Sequence, residues 1–173
     1  MELLGQKALH AGIALRLQVV GGIAMMLGYS ARVRTRDVDV VLLRVHREEV
    51  LAFAAEIAAE MDWPVNWLND DAMSTMWGSS TGRELLSVPG LTLEMPSEVQ
   101  LLASKLAAFR DDRDGNDARV ILNALRAARP ELTEESLWRE LFGHVSKENE
   151  KWARRSLKIT WSGEEGAQID GTA

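Results

Sequence analysis

The chain contains no cysteine, which rules out disulfide staples and thiolate catalysis and makes a cytoplasmic setting the plain expectation. No apolar run approaches the ~20 residues needed to cross a bilayer, so no membrane partner is expected. The opening "MELLGQKALHAGIALRLQ" interrupts every apolar stretch with polar residues and lacks a signal-peptide pattern. Excess positive charge is also missing. At a net charge of −6, broad coating of DNA by phosphate neutralisation is disfavoured. His10, His46 and His144 are scattered without ligand spacing, so no His- or Cys-rich cluster offers a site for a softer metal. No internal repeat is visible.

What remains fits a globular protein of ordinary make-up. The 173 residues, 46% hydrophobic and 27% charged, suit one domain or one domain with a small appendage. A chain of this length buries roughly 70% of its unfolded surface. Residues 3–17 read as a helix with Leu4, Ala8, Ala11 and Leu15 on one stripe. Leu17 to Val20 reads as a strand, and Gly21-Gly22 as the turn that stops it. Ile23 to Leu27 follows as a brief helix with Gly28 as its C-terminal cap. Thr35 to Leu43 is expected as a strand. His46 to Met61 is expected as a helix burying Val50, Phe53, Ala54, Ile57 and Met61. Between Trp63 and Gly90 the pattern weakens, and Leu91 to Met95 then reads as a strand.

Pro96 and Ser97 open a helix, with Gln100 placed for a capping box. The charged stretch "RDDRDGND" reads as a loop before a helix from Asp117 to Arg129, which Pro130 stops. Thr133 caps a further helix with Leu132 and Leu137 as a hydrophobic staple, and a last helix starts near Ser146. The expected class is therefore α/β, in the broader sense α+β, with a helical C-terminal part. The division expected is a core over 1–95, helices over 96–160 packed on it, and a Gly-rich polar tail over 161–173 expected to be disordered.

The sharpest feature is "DVDV", in which Asp37 and Asp39 share one face of an apolar strand with Cβ atoms roughly 6–7 Å apart. Like charges there repel and lose hydration. One or two divalent cations would compensate them, and oxygen-only ligands favour Mg²⁺ or Mn²⁺. An edge strand whose aspartates face water remains the alternative. Gly21-Gly22, between a strand and a helix, can expose backbone N–H groups to phosphate, or can simply make a tight turn.

Taken together, Val20-Gly21-Gly22 and Asp37-Val38-Asp39-Val40 resemble the signature of the nucleotidyltransferase superfamily. Arg34-Thr35-Arg36-Asp37-Val38-Asp39 and "WLND" at Trp67 to Asp70 are similar to its minimal, abortive-infection AbiEii-like branch. The likeness runs from about Val19 to Leu125. It implies a small mixed sheet flanked by helices, Mg²⁺ on Asp37 and Asp39, and a nucleoside triphosphate on Gly21 and Gly22. It also implies nucleotide-binding roles for Lys105, Asp114 and Asp117 in "EVQLLASKLAAFRDDRDGNDARVILNAL". From the residues alone, Lys105 lies at the margin of an apolar stripe. Asp117 is either a first-turn dipole partner or part of a site. Full members of the superfamily use a third carboxylate as base, for which Glu94 is the first candidate and Asp70 a weaker one.

The activity implied is transfer of an NMP from an NTP to a hydroxyl of a protein or RNA acceptor, in a toxin–antitoxin or phage-defence setting with a cognate toxin or antitoxin partner. Two alternatives stand beside it: a catalytically inactive, antitoxin-like interaction protein of the same fold, and a plain RNA-binding module, which would need a continuous basic face. Thr35 shares the acidic face and is a candidate for holding phosphate. Arg32, Arg34 and Arg36 alternate before the aspartates and can attract anions. Of the six tryptophans, Trp138 and Trp152 suit packing, while Trp67 and Trp77 are candidates for stacking on a base.

Overall fold

The alternation Leu15-Arg16-Leu17-Gln18-Val19 decides the first half of the molecule, because its odd positions are buried and its even ones are not. The computed structural model describes residues 1–163 except 32, 36, 43–45, 75, 110 and 111, and the backbone but not the side chain of 112. It divides into two compact units, Met1–Ser97 and the chain from Glu98 onward.

The first unit runs α1 (Glu2–His10), β1 (Leu15–Val19), α2 (Gly21–Tyr29), β2 (Val38–Val41), α3 (Arg47–Met61), β3 (Leu68–Asn69), β4 (Arg83–Val88) and β5 (Leu91–Met95). Its five strands form one sheet in the order β3-β2-β1-β5-β4. β1 is parallel to β5 and antiparallel to β2. The chain is a mixed α+β protein, as its element order indicates. Leu15, Leu17, Val19, Val40, Leu91 and Leu93 form the apolar side of the sheet, in one core with Leu4 and Ala8 of α1 and Val50, Ala54 and Ile57 of α3. Each fully buried side chain of this size contributes about 1.5–3 kcal/mol.

The helix expected over 3–17 is two elements. Gly12, at φ +70°, breaks it, and the Leu15 amide donates to Gly90 O, so pairing with β5 claims Leu15 for the sheet. Gly28 is not a cap but lies inside α2, where a Cβ would come within 2.5 Å of Met95 Sδ; Ser30 caps the helix in the left-handed conformation. The strand expected over Thr35–Leu43 is confined to Val38–Val41, because the Thr35 hydroxyl turns onto Asp37 O at 3.1 Å; Leu43 itself lies outside the described residues. Met61, expected inward, is exposed, since α3 ends on a left-handed Asp62 immediately after it.

The second unit holds α4 (Glu98–Ala108), α5 (Asp112–Ala128), α6 (Glu134–Leu141) and α7 (Glu150–Ser162). Its core includes Leu101, Leu102, Leu106, Ile121, Leu122, Leu125, Leu137, Leu141 and Leu157. Most of the stretch expected as a loop at 110–117 is the first turn and a half of α5. Gly115 makes this possible, since a Cβ there would already press on Phe109 at 3.3 Å. Residues 110 and 111 of that stretch lie outside the described residues. Thr133 caps α6 as expected, closing a reciprocal box with Ser136, and both staple positions, Leu132 and Leu137, are buried. α7 starts at Glu150, four residues after Ser146, and includes Trp161 and Ser162, which the sequence assigned to a tail. Residues 164–173 of that tail lie outside the described residues.

Arg129 grips Glu140 with two contacts of 2.5 and 2.9 Å and holds its carboxyl below the ordinary 4.5. A depressed folded value stabilises the folded state above the unfolded pKa, and that contribution is lost as pH falls through the folded value. Glu140→Gln should therefore lower the melting temperature slightly at neutral pH and converge on the wild type below about pH 4, which flattens the acid limb of a melting-temperature-versus-pH profile. An acid limb identical in the variant would remove this pair from the account.

Candidate functional site

Gly21 and Asp39 meet in the first unit. Gly21 opens α2 at φ +58°, and a Cβ built on it would run into the Asp39 carboxylate. The Val20 amide donates to Asp39 O at 2.9 Å, so β1 and β2 stay paired up to the bend. The carboxylate of Asp39 is thus held against the start of a helix whose first N–H groups have no intrahelical acceptor. Val20, the residue before that start, offers no side-chain cap, and Gly22 behind it is buried.

Register shows what shares the face. Gln18 lies opposite Val41 on one side and Glu94 on the other, and Val19 lies opposite Val40. One step further places Val20 opposite Asp39. Arg16, Gln18, Asp39, Val41, Thr92 and Glu94 therefore point to the same side of the sheet, away from the leucine layer. Glu94 is on the face of Asp39, though two strand spacings across and two residues along, roughly 12 Å between Cα atoms. Its carboxylate is buried at 7% exposure and is ion-paired with Arg16, whose guanidinium it raises further above its usual range. Gln18 donates to Ser80 O at 3.3 Å, and the Ser97 amide donates to Ser80 Oγ at 2.8 Å, bringing residue 80 over this part of the sheet.

On the other flank, β3 sets Asn69 directly beside Asp39. Asn69 Oδ1 accepts from the Asp71 amide at 3.1 Å, which leaves its NH₂ group as the donor end. Asp70 points elsewhere, into a two-pronged pair with Arg47 at 2.6 and 3.1 Å, so it is committed to the start of α3 rather than to the Asp39 face. Asp37 is exposed just before β2, with Thr35 Oγ1 3.4 Å from its Oδ1. Trp67, a candidate for stacking, is instead buried and donates its indole N–H to Ala54 O at 2.8 Å. Trp77 is exposed, as is Arg34; Arg32 and Arg36 lie outside the described residues.

The second unit gathers the other three residues. Lys105 Nζ lies 3.2 Å from Asp114 Oδ1 and 2.8 Å from Asp117 Oδ2, and all three residues are at most 8% exposed. Asp117 sits in the second turn of α5, not in its first, so the helix-dipole alternative falls away. The arrangement ties α4 to α5 through a lysine between two carboxylates.

Arg16, Gln18 and Asn69 were not among the residues singled out by sequence. The alternation around Arg16 and Gln18 carried the signal, but helical periodicity claimed the same stretch. Among the described residues, no group of three or more His, Cys, Asp or Glu side chains is close enough to hold a metal by itself. No helix among them is long and apolar enough to cross a membrane. Comparison with protein-family models, curated proteins and solved structures gives no match.

Proposed function

We propose that the first unit is a nucleotidyltransferase-like, Mg²⁺-dependent site that moves an NMP from a nucleoside triphosphate to a hydroxyl acceptor. The observation that carries this reading is the Asp39 carboxylate packed on Gly21, the residue that opens α2. Mg²⁺ is commonly held by only one or two carboxylates plus substrate phosphates, which Asp37 and Asp39 suffice for. When bound, the cation supplies charge neutralisation at the phosphates.

The chain's own residues do the rest. The amides at the start of α2 donate to phosphate oxygens. Asn69 donates from the flank. An acceptor oxygen forms a bond to the α-phosphorus while the bond to the β-phosphate bridge breaks, releasing pyrophosphate. Glu94, on the same face, is the candidate to accept the acceptor's proton. An RNA 3′ end or a protein side chain would serve as acceptor, in a toxin–antitoxin or phage-defence setting.

The Arg16–Glu94 pair favours a second reading, a catalytically inactive relative that retains nucleotide binding as an interaction protein. The two readings separate cleanly, since both bind Mg-NTP but only the first releases pyrophosphate.

Melting the protein with Mg²⁺ and each NTP in turn tests both. A ligand at 100 times its Kd adds about 2.7 kcal/mol, or about 5–10 °C in a chain of this size. Asp39→Asn should abolish the shift, as should EDTA. No shift with any NTP would defeat both readings, and a shift surviving Asp39→Asn would move the metal elsewhere.

A further inference from the structure

We propose that the outer face of α7 is a binding strip for single-stranded RNA. α7 buries Ala153, Ser156, Leu157 and Thr160. At 100° per residue, the direction opposite that face is occupied by positions 151, 155 and 158, within an arc of about 60°. They are Lys151, Arg155 and Lys158, all exposed. Elsewhere the chain pairs many of its cations: Lys7, Arg16, Arg47, Lys105, Arg129 and Arg154 all sit in ion pairs. Lys151, Arg155 and Lys158 have no acidic partner among the described residues, and the one acid of α7, Glu150, lies off their arc. Three cations in one line with no acidic partner among the described residues present a local field of opposite sign to the rest of this acidic protein.

The strip is about 10 Å long from Lys151 to Lys158, the span of about three consecutive phosphates. Half-buried Trp152 and Ile159 border it on one side, and Trp152 offers an indole beside the cations on which a base can stack. A membrane surface fits poorly, because the apolar face a bilayer would take up is already spent on the core. Phosphates plus a stacking platform specify an unpaired strand. The choice of RNA over DNA rests on the proposed transfer to an RNA hydroxyl; the strip itself does not.

The test uses the full chain and a fluorescein-labelled single-stranded RNA of about 12 nucleotides, without NTP or Mg²⁺, read by anisotropy. Three phosphate contacts predict a log–log salt slope near −2, hence about 15- to 20-fold weaker binding at 200 mM than at 50 mM salt. Lys151→Gln/Arg155→Gln/Lys158→Gln, with an unchanged circular-dichroism spectrum, should lose this binding. Trp152→Leu should weaken it about tenfold while leaving the salt slope intact, which a merely structural tryptophan would not do.

Absence of binding at 50 mM salt, equal binding by the triple variant, or equal binding of an acidic peptide of the same length overturns the proposal. Equal binding of a duplex overturns the stacking, and tighter binding of the matching DNA overturns the choice of RNA. Because no nucleotide is present, failure here leaves the Mg-NTP melting result standing, and the reverse holds too.

Discussion

Lys105→Ala is expected to cost about 3–5 kcal/mol, because it removes the buried ammonium that the Asp114 and Asp117 carboxylates share. Asp114 and Asp117 are each 5% exposed, and the lysine ammonium lies 3.2 and 2.8 Å from them. Against a total stability of about 5–15 kcal/mol, that loss would leave the helical unit marginal. Urea or thermal unfolding followed by circular dichroism reads it directly. Lys105→Ala/Asp114→Asn/Asp117→Asn should recover much of the loss, since uncharged partners carry a smaller desolvation cost. The family resemblance assigns this lysine to nucleotide phosphate, and the same variants separate the two roles. If Lys105 mainly ties α4 to α5, the rescued triple variant keeps the Mg-NTP melting shift. If it binds phosphate, stability returns and the shift does not. Single Lys105→Ala with unchanged stability would show that the cluster does not depend on the ammonium and refute its structural role.

Gly21→Ala is expected to have the second-largest effect, and it acts twice. Alanine at φ +58° costs about 1–2 kcal/mol in backbone strain. Its methyl must also displace the Asp39 carboxylate, which adds about 1–3 kcal/mol of the kind seen on overpacking. Gly12→Ala isolates the first cost, because Gly12 has φ +70° and nothing within 4 Å of an added Cβ. The difference between the two variants in unfolding free energy measures the clash alone. On the proposed function, Gly21→Ala also abolishes the Mg-NTP shift while Gly12→Ala keeps it. Equal losses in the two variants would mean that Asp39 yields freely and is not held in place by the bend.

These residues show what the sequence made legible. β5 was readable residue by residue, since Leu91, Leu93 and Met95 alternate between a tight turn and Pro96. α3 and the Thr133 cap were readable too, because amphipathic spacing and capping chemistry are local. The merging of α1 with β1 was not avoidable by local reasoning, as Leu4, Ala8, Ala11 and Leu15 satisfy helical spacing and only pairing with Leu91 overrules it. Site residues followed the same division. The spacing of Asp37 and Asp39 and the doubled glycine were visible, but the packing of Asp39 on Gly21 depends on how β1 and β2 are aligned. The placement of Glu94 on the Asp39 face, its capture by Arg16 and the flanking position of Asn69 are cross-strand facts that no single stretch encodes.

The central position of β1 has a consequence for how the chain comes into being. Its parallel neighbour Leu91–Met95 is made long after Leu15–Val19, so during synthesis one edge of the strand must wait bare while α2, β2 and α3 take shape. Until the ribosome has passed Met95, the leucines of the nascent sheet are half clothed, and a chaperone or protease meets them before their partner does.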